Sequence, residues 1–279
     1  MLVQVAVVAV FLGRGWQHLY WDAPYRVLLW DENWMKPIVE GVFGWKWEDY
    51  VTSLSMNGAI QNFIRFTGGF YIICAFTAVF IRQWKRIATI LLWIGSVSLF
   101  ILAALYCKDK FFHLGQLLEY TLQWSSPIFF IFLYQKQTLD KQLLLAMKVA
   151  IAFTFICHGL YAVGYYPRPG DFMQMSMSIL NTDEIEAAQF LKTAGILDFI
   201  ASVLLFAPGK TGKTALLYCV FWGLATTLAR VWSPLMIGTS IENVLLQSLQ
   251  DSLYRFPHFL IPLATFLALS YRQNLRDTQ

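Results

Sequence analysis

Charge is what this sequence has least of. Asp, Glu, Lys and Arg make up 14% of its residues, where a soluble globular domain carries about 25%. The net charge of +4 is divided among short turns, and no basic cluster stands clear of the apolar runs. That argues against nucleic acid as a partner, because phosphate contacts need Lys and Arg gathered on an open face. Cysteine is scarce too. Cys74, Cys107, Cys157 and Cys219 form no Cys-x-x-Cys pair, and they read as small buried hydrophobes, not as a disulfide or dithiol relay. No His-x-x-x-His or Glu-x-x-His falls on any one helix, so no metal site is assigned. The opening MLVQVAVVAVFLGRGWQHLYW lacks the basic n-region and the Ala-x-Ala-like site of a cleaved signal peptide, and Arg14 interrupts its polar end. It reads as a first membrane helix.

What is abundant is apolar surface. Hydrophobic residues reach 57% and aromatics 17%, with Trp and Tyr crowded at the ends of runs of about 18 to 22 residues, long enough to cross a bilayer. After the first helix, the stretch 22–53 mixes Trp30, Trp34, Trp45 and Trp47 with acids and turns, which suits short helices lying in the interface. Further spans are expected at 60–80, 87–106, 113–134 and 143–165. The loop 166–183 leads to a sixth span ending near 206, with Asn181 and Glu184 as its capping-box start. The turn 207–213 leads to a seventh span at 214–231, and the segment 241–253 to an eighth at 256–271. The expected fold is all-α, a polytopic transmembrane helical bundle of about eight spans.

Orientation follows from the basic residues. Arg82, Lys85, Arg86, Lys136, Lys141, Lys210, Lys213, Arg272 and Arg276 fall in turns on one side, while the opposite loops hold almost all the carboxylates. Both termini are therefore expected in the cytoplasm, with the tryptophan-rich loops facing outwards. The chain also echoes itself. The run NFIRFTGGFYIICAFTAVF from Asn62 lies without gaps against QFLKTAGILDFIASVLLF from Gln189, matching Phe63 to Phe190, Arg65 to Lys192 and Gly68 to Gly195. His18-Leu-Tyr20 likewise echoes His158-Gly-Leu-Tyr161. Two four-helix halves, 1–141 and 142–279, are expected in one orientation, although Tyr71 stands where the second copy has Asp198. Residues 207–214 (APGKTGKT) satisfy a relaxed phosphate-loop pattern, but they join two apolar runs and no strand is expected before them. They read as a cytoplasmic turn.

The candidate binding residues are polar groups stranded in this apolar chain. On the expected topology His18, His113, His158 and His258 all lie in the outward half. Arg14, His18 and Asp22 share one helical face at i, i+4 and i+8. His113, Gln116, Glu119 or Tyr120, and Gln123 line the fourth span, and Gln247, Asp251, Arg255 and His258 the approach to the eighth. Arg65, Lys192 and Arg230 lie near the same level, Asp198 deeper, and Tyr161 stands one turn beyond His158. Charges are costly in lipid, so these groups need one another, water or the bundle interior. Two readings follow. Either they pair structurally and anchor the bundle at the interface, or they line an outward-facing polar cavity. In the second case facing histidines could bind haem or a metal, and Arg, His and Tyr could hydrogen-bond a quinone head group. No residue is assigned a catalytic role.

The stretch 157–206 carries a family resemblance. A His158-Gly159 pair lies inside an apolar helix that closes on Tyr165, Tyr166 and a Pro-Arg-Pro-Gly turn. A second helix follows with Gly195 and Asp198, a leucine-rich run, and a short basic turn at Pro208-Gly-Lys. In this order the chain resembles the DoxX-like family of bacterial membrane proteins. The resemblance implies an inner-membrane protein built from tandem four-helix units. It also implies redox association in the manner of subunits of thiosulfate–quinone oxidoreductases, although many members lack an assigned activity. The other functional readings are a non-enzymatic subunit whose loops 22–53 and 166–183 dock a periplasmic or membrane protein partner, and a transporter using the polar cavity.

Overall fold

The computed structural model describes the backbone of residues 1–277 and side chains through Arg272; the side chain of Arg276, counted above among the basic residues, lies outside the described residues. The chain is helical from end to end, with no strand among the described residues. In order the helices are α1 (Leu2–Tyr20), α2 (Arg26–Leu29), α3 (Glu32–Gly41), α4 (Trp47–Thr52), α5 (Leu54–Val79), α6 (Lys85–Asp109), α7 (Leu114–Glu119) and α8 (Thr121–Lys136). There follow α9 (Lys141–Val163), α10 (Gly170–Leu180), α11 (Glu184–Leu204), α12 (Gly209–Met236), α13 (Ile241–Gln247), α14 (Leu249–Leu253) and α15 (Pro257–Asp277).

Among the described residues, 7 stretches are long and apolar enough to cross a membrane: α1, α5, α6, α9, α11, α12 and Leu249–Arg272. The protein is a multi-pass membrane protein. The expected span at 113–134 is not one helix. It breaks at Tyr120 into α7 and α8, and the 16 residues of α8 give about 24 Å of helix, short of a hydrocarbon layer of about 30 Å. At the break, Thr121 Oγ1 donates to the Leu118 carbonyl (2.6 Å) and the Leu122 amide to Thr154 Oγ1 (3.3 Å). Side chains thus replace lost helix bonds where no water can. Even so, α8 traverses the bundle antiparallel to α6. Tyr106 meets Tyr120, Phe100 meets Trp124 and Trp93 meets Phe132, with ring centroids 5.3, 5.5 and 6.1 Å apart.

The two ends of the bundle differ in kind. At one, Gln4 Nε2 donates to the Ala78 carbonyl (3.0 Å), the Lys85 ammonium lies 5.9 Å over the Tyr134 ring, and the Arg272 guanidinium donates to the Leu139 carbonyl. The start of α1 and residue Arg272 therefore lie together with the basic turns. At the other end sit α2–α4, α10 and α13–α14. Asp31 caps α3 by accepting the Trp34 amide (3.0 Å), and its carboxylate also takes the Lys108 ammonium from the end of α6. That ammonium, with the Trp34 amide adding to it, holds the Asp31 carboxyl below its ordinary value. The capping box of α11 is Asp183 with Glu186, not Asn181 with Glu184, because Asn181 (φ 52°) adopts the left-handed conformation that ends α10.

Two helix crossings are built on reciprocal glycine pairs. Where α1 crosses α5, a Cβ on Gly68 would lie 3.0 Å from the Gly15 carbonyl oxygen, and one on Gly15 would lie 3.2 Å from that of Gly68. Where α9 crosses α11, Gly195 and Gly159 oppose each other in the same reciprocal way, at 2.8 and 2.9 Å. Small residues let membrane helices come this close. The main core runs along the bundle axis through Phe11, Leu92, Leu122, Met147, Leu216 and Ile261. The lipid-facing side is plainest on α6, where Ile87, Ile90, Ile94, Val97 and Ile101 form one exposed stripe.

Candidate functional site

The buried polar groups gather in two neighbouring sets at the end away from the basic turns. The first surrounds Arg14, which is 1% exposed. Its Nε and Nη2 donate to Gln123 Oε1 (3.1 and 2.7 Å) and its Nη1 to Gln17 Oε1 (2.7 Å). The guanidinium carbon lies 3.8, 5.0 and 5.4 Å from the ring centres of Tyr254, Tyr120 and Tyr106. A cation caged by three aromatic faces and two amides is stabilised without a carboxylate. Beside it Arg255 approaches Glu119 at 3.9 Å, and the Tyr254 hydroxyl donates to Asp251 Oδ1 (2.7 Å). His18 places Nδ1 2.7 Å from the Arg14 carbonyl and Nε2 3.2 Å from the Tyr25 hydroxyl. His258 places Nδ1 3.0 Å from the Arg255 carbonyl. Every charged group here has a partner in the fold. This set reads as a structural lock.

The second set is different. His158 Nδ1 lies 3.0 Å from Asp198 Oδ2, and the Tyr218 hydroxyl donates to Asp198 Oδ1 at 2.8 Å. Asp198 is fully buried. Local structure explains why the three converge. The Gly159–Gly195 crossing brings α9 and α11 close enough for His158 to reach an acid one turn past Gly195. Tyr218 belongs to α12, where Tyr218, Trp222, Thr226 and Arg230 recur every four residues and so stack on one face. That face, with Phe172, Met175 and Ile179 of α10 and Phe190 of α11, walls a cavity of about 210 Å³ that has His158 in its lining. Half-exposed Phe190 and Leu180 rim its mouth. Asp198 occupies Nδ1, which leaves Nε2 as the ring nitrogen for the cavity. Trp222 and Arg230 are about 12 Å apart along the helix, so Arg230 marks the far end. There the cavity meets a polar recess of about 140 Å³ lined by Asp171, Gln174, Ser233 and Asp251 as well as Arg230.

The remaining sequence candidates do not line this cavity. Asp22 is exposed and pairs with Arg26 at 2.9 Å. Arg65 and Lys192 are exposed too, because each sits one residue past a buried position (Ile64, Leu191) and so turns about 100° away from the packed face. His113 stacks on Tyr166 with centroids 4.5 Å apart, and the Tyr161 hydroxyl lies 3.3 Å from Gln116 Oε1. Sequence reading missed Tyr218, Trp222 and Phe172; the four-residue spacing from Tyr218 to Arg230 was the signal for the first two. Among the described residues no three His, Cys, Asp or Glu side chains converge as a metal site would require. Comparison with protein-family models, with curated proteins and with solved structures found no match.

Proposed function

We propose that this chain is a DoxX-like inner-membrane protein, its basic end in the cytoplasm, that binds the head group of a quinone in the cavity beside His158. One observation carries the reading. A buried acid, itself held by a tyrosine hydroxyl, fixes one nitrogen of His158 and leaves the other for a mainly apolar cavity whose other charged lining residue, Arg230, stands at the far end. A cavity of about 150 Å³ holds a benzene ring, so about 210 Å³ suits a small quinone head group. With Nδ1–H given to Asp198, the neutral imidazole offers Nε2 as acceptor for a quinol hydroxyl. Once protonated, it offers an N–H to a quinone carbonyl. Asp198 and Tyr218 would hold the ring in place through either state. A bound quinone would supply two-electron, two-proton chemistry; the chain's own part is binding and proton placement. Haem does not fit. The cavity is far smaller than a porphyrin, His18 spends Nδ1 on the Arg14 carbonyl of its own helix, and His258 spends Nδ1 on the Arg255 carbonyl just before α15.

The glycine pairs favour a tandem repeat in a register that sets Arg14 before Gly15 as His158 stands before Gly159, shifted from the echo that matched His18 to His158. The test of the function is titration of the detergent-purified protein with decylubiquinone by calorimetry. Saturable binding is expected, weakened at least about tenfold, or about 1.4 kcal/mol, in His158→Gln and in Asp198→Asn. Equal affinity in both variants removes the ring site. No binding at all makes the docking of a partner by the α3 and α10 surfaces the better account.

A further inference from the structure

The quinone reading uses one end of the cavity and leaves Arg230 unexplained. Its Nε is fully enclosed and has no hydrogen-bond partner. Among the described residues no carboxylate comes within ion-pair distance of its guanidinium. Of the acids nearby, Asp251 accepts the Tyr254 hydroxyl at 2.7 Å and Glu119 faces Arg255 at 3.9 Å, while Asp171 lines the same recess without closing an ion pair to Arg230. Arg14, by contrast, is fully coordinated by two amides and three rings. Arg230 and Met175 line both the apolar cavity and the polar recess, and of the two only Arg230 carries a charge. An arginine at membrane depth is retained where something pairs with it, and a planar fork of N–H donors best suits an oxyanion.

We propose that the ligand of this cavity is acidic: an apolar body seated between Phe172, Phe190 and Trp222, carrying an anionic oxygen bound by Arg230. This rests on the proposed ring site and narrows it to two-point recognition, with His158 reading a neutral oxygen at one end and Arg230 a charged one at the other. Two sources share that chemistry, a hydroxyquinone ionised at neutral pH and the carboxylate of an acyl chain.

The experiment titrates the intact protein in detergent with 2-hydroxy-1,4-naphthoquinone, with its uncharged 2-methyl relative, and with decanoate. The wild-type protein is expected to bind the ionised quinone at least about tenfold more tightly than the uncharged one. Arg230→Gln should abolish the preference by weakening only the anion, and Arg230→Lys should keep part of it. The wild-type comparison needs no variant, so a misfolded Arg230→Gln leaves it intact. Equal binding of the two quinones, or a preference that survives Arg230→Gln, overturns the proposal while leaving the quinone site standing. Arg230-dependent binding of decanoate with neither quinone bound supports the acidic ligand and removes the quinone reading.

Discussion

Gly68 and Gly69 are neighbours on α5, yet adding one methyl group to each should have opposite effects. At Gly68 a Cβ would lie 2.9 Å from His18 Cβ, 2.9 Å from Leu19 Cγ and 3.0 Å from the Gly15 carbonyl oxygen. Two of those atoms are backbone or directly attached to it, so α1 must retreat by roughly half an ångström to restore ordinary contact. Overpacking of this kind costs about 1–3 kcal/mol. At Gly69 a Cβ meets nothing within 4 Å. Both changes gain about 1 kcal/mol of helix propensity. Gly68→Ala should therefore destabilise by about 0–2 kcal/mol and Gly69→Ala stabilise by about 1 kcal/mol. The propensity term cancels in the difference, which isolates the crossing at about 1–3 kcal/mol. Reversible unfolding in mixed micelles, followed by circular dichroism, reads this directly. If the two variants shift together within about 0.3 kcal/mol, the close crossing of α1 and α5 does not hold and the glycine-pair argument fails with it.

Three further outcomes are expected. Arg14→Lys should lower stability by about 1–3 kcal/mol, because it strands Gln123 Oε1 in a buried site, whereas Arg65→Lys on the exposed face should stay within about 0.5 kcal/mol; equal effects would undo the caged-cation account. The Asp31 carboxyl is held low by Lys108, so its contribution is present at neutral pH and lost as the pH falls through its folded value. Proteolysis of the α2–α4 segment should then quicken on acidification in the wild-type protein and change little with pH in Asp31→Asn, and an identical pH response in both would exclude this anchor. A cysteine placed at residue 211 should resist impermeant reagents applied to intact cells, and labelling from outside would invert the proposed orientation.

Much of this fold was legible in the apolar runs, because a bilayer imposes length and composition on whatever crosses it. The break at Tyr120 was not, since it depends on the Thr154 hydroxyl, which only the fold brings to the freed Leu122 amide. Stranded charge proved a good signal for burial where the helix has no way out, as at Arg14 and Asp198. It misled at Arg65 and Lys192, where a long side chain one position off the packed face stays exposed. His158 and Asp198 were recognised separately, but their meeting depended on how closely two glycines let the helices approach. Tyr218 escaped because a tyrosine in an apolar run looks the same whether it faces lipid or completes a site.

The broken pair α7–α8 also bears on how the chain is made. Insertion machinery samples segments as they emerge and accepts those apolar and long enough to leave the channel alone. α8 falls short of that length, and the groups that complete it belong to α1, through Arg14 on Gln123, and to α9, through Thr154 on the Leu122 amide. The second of these does not exist when α8 is synthesised. Newly made chain should therefore pause with six residues of α7 and sixteen of α8 waiting at the channel or the membrane surface, and be drawn across only when α9 follows. Until then every later helix has the wrong sidedness available to it, and the positive charges at Lys136 and Lys141 decide which way the pair turns.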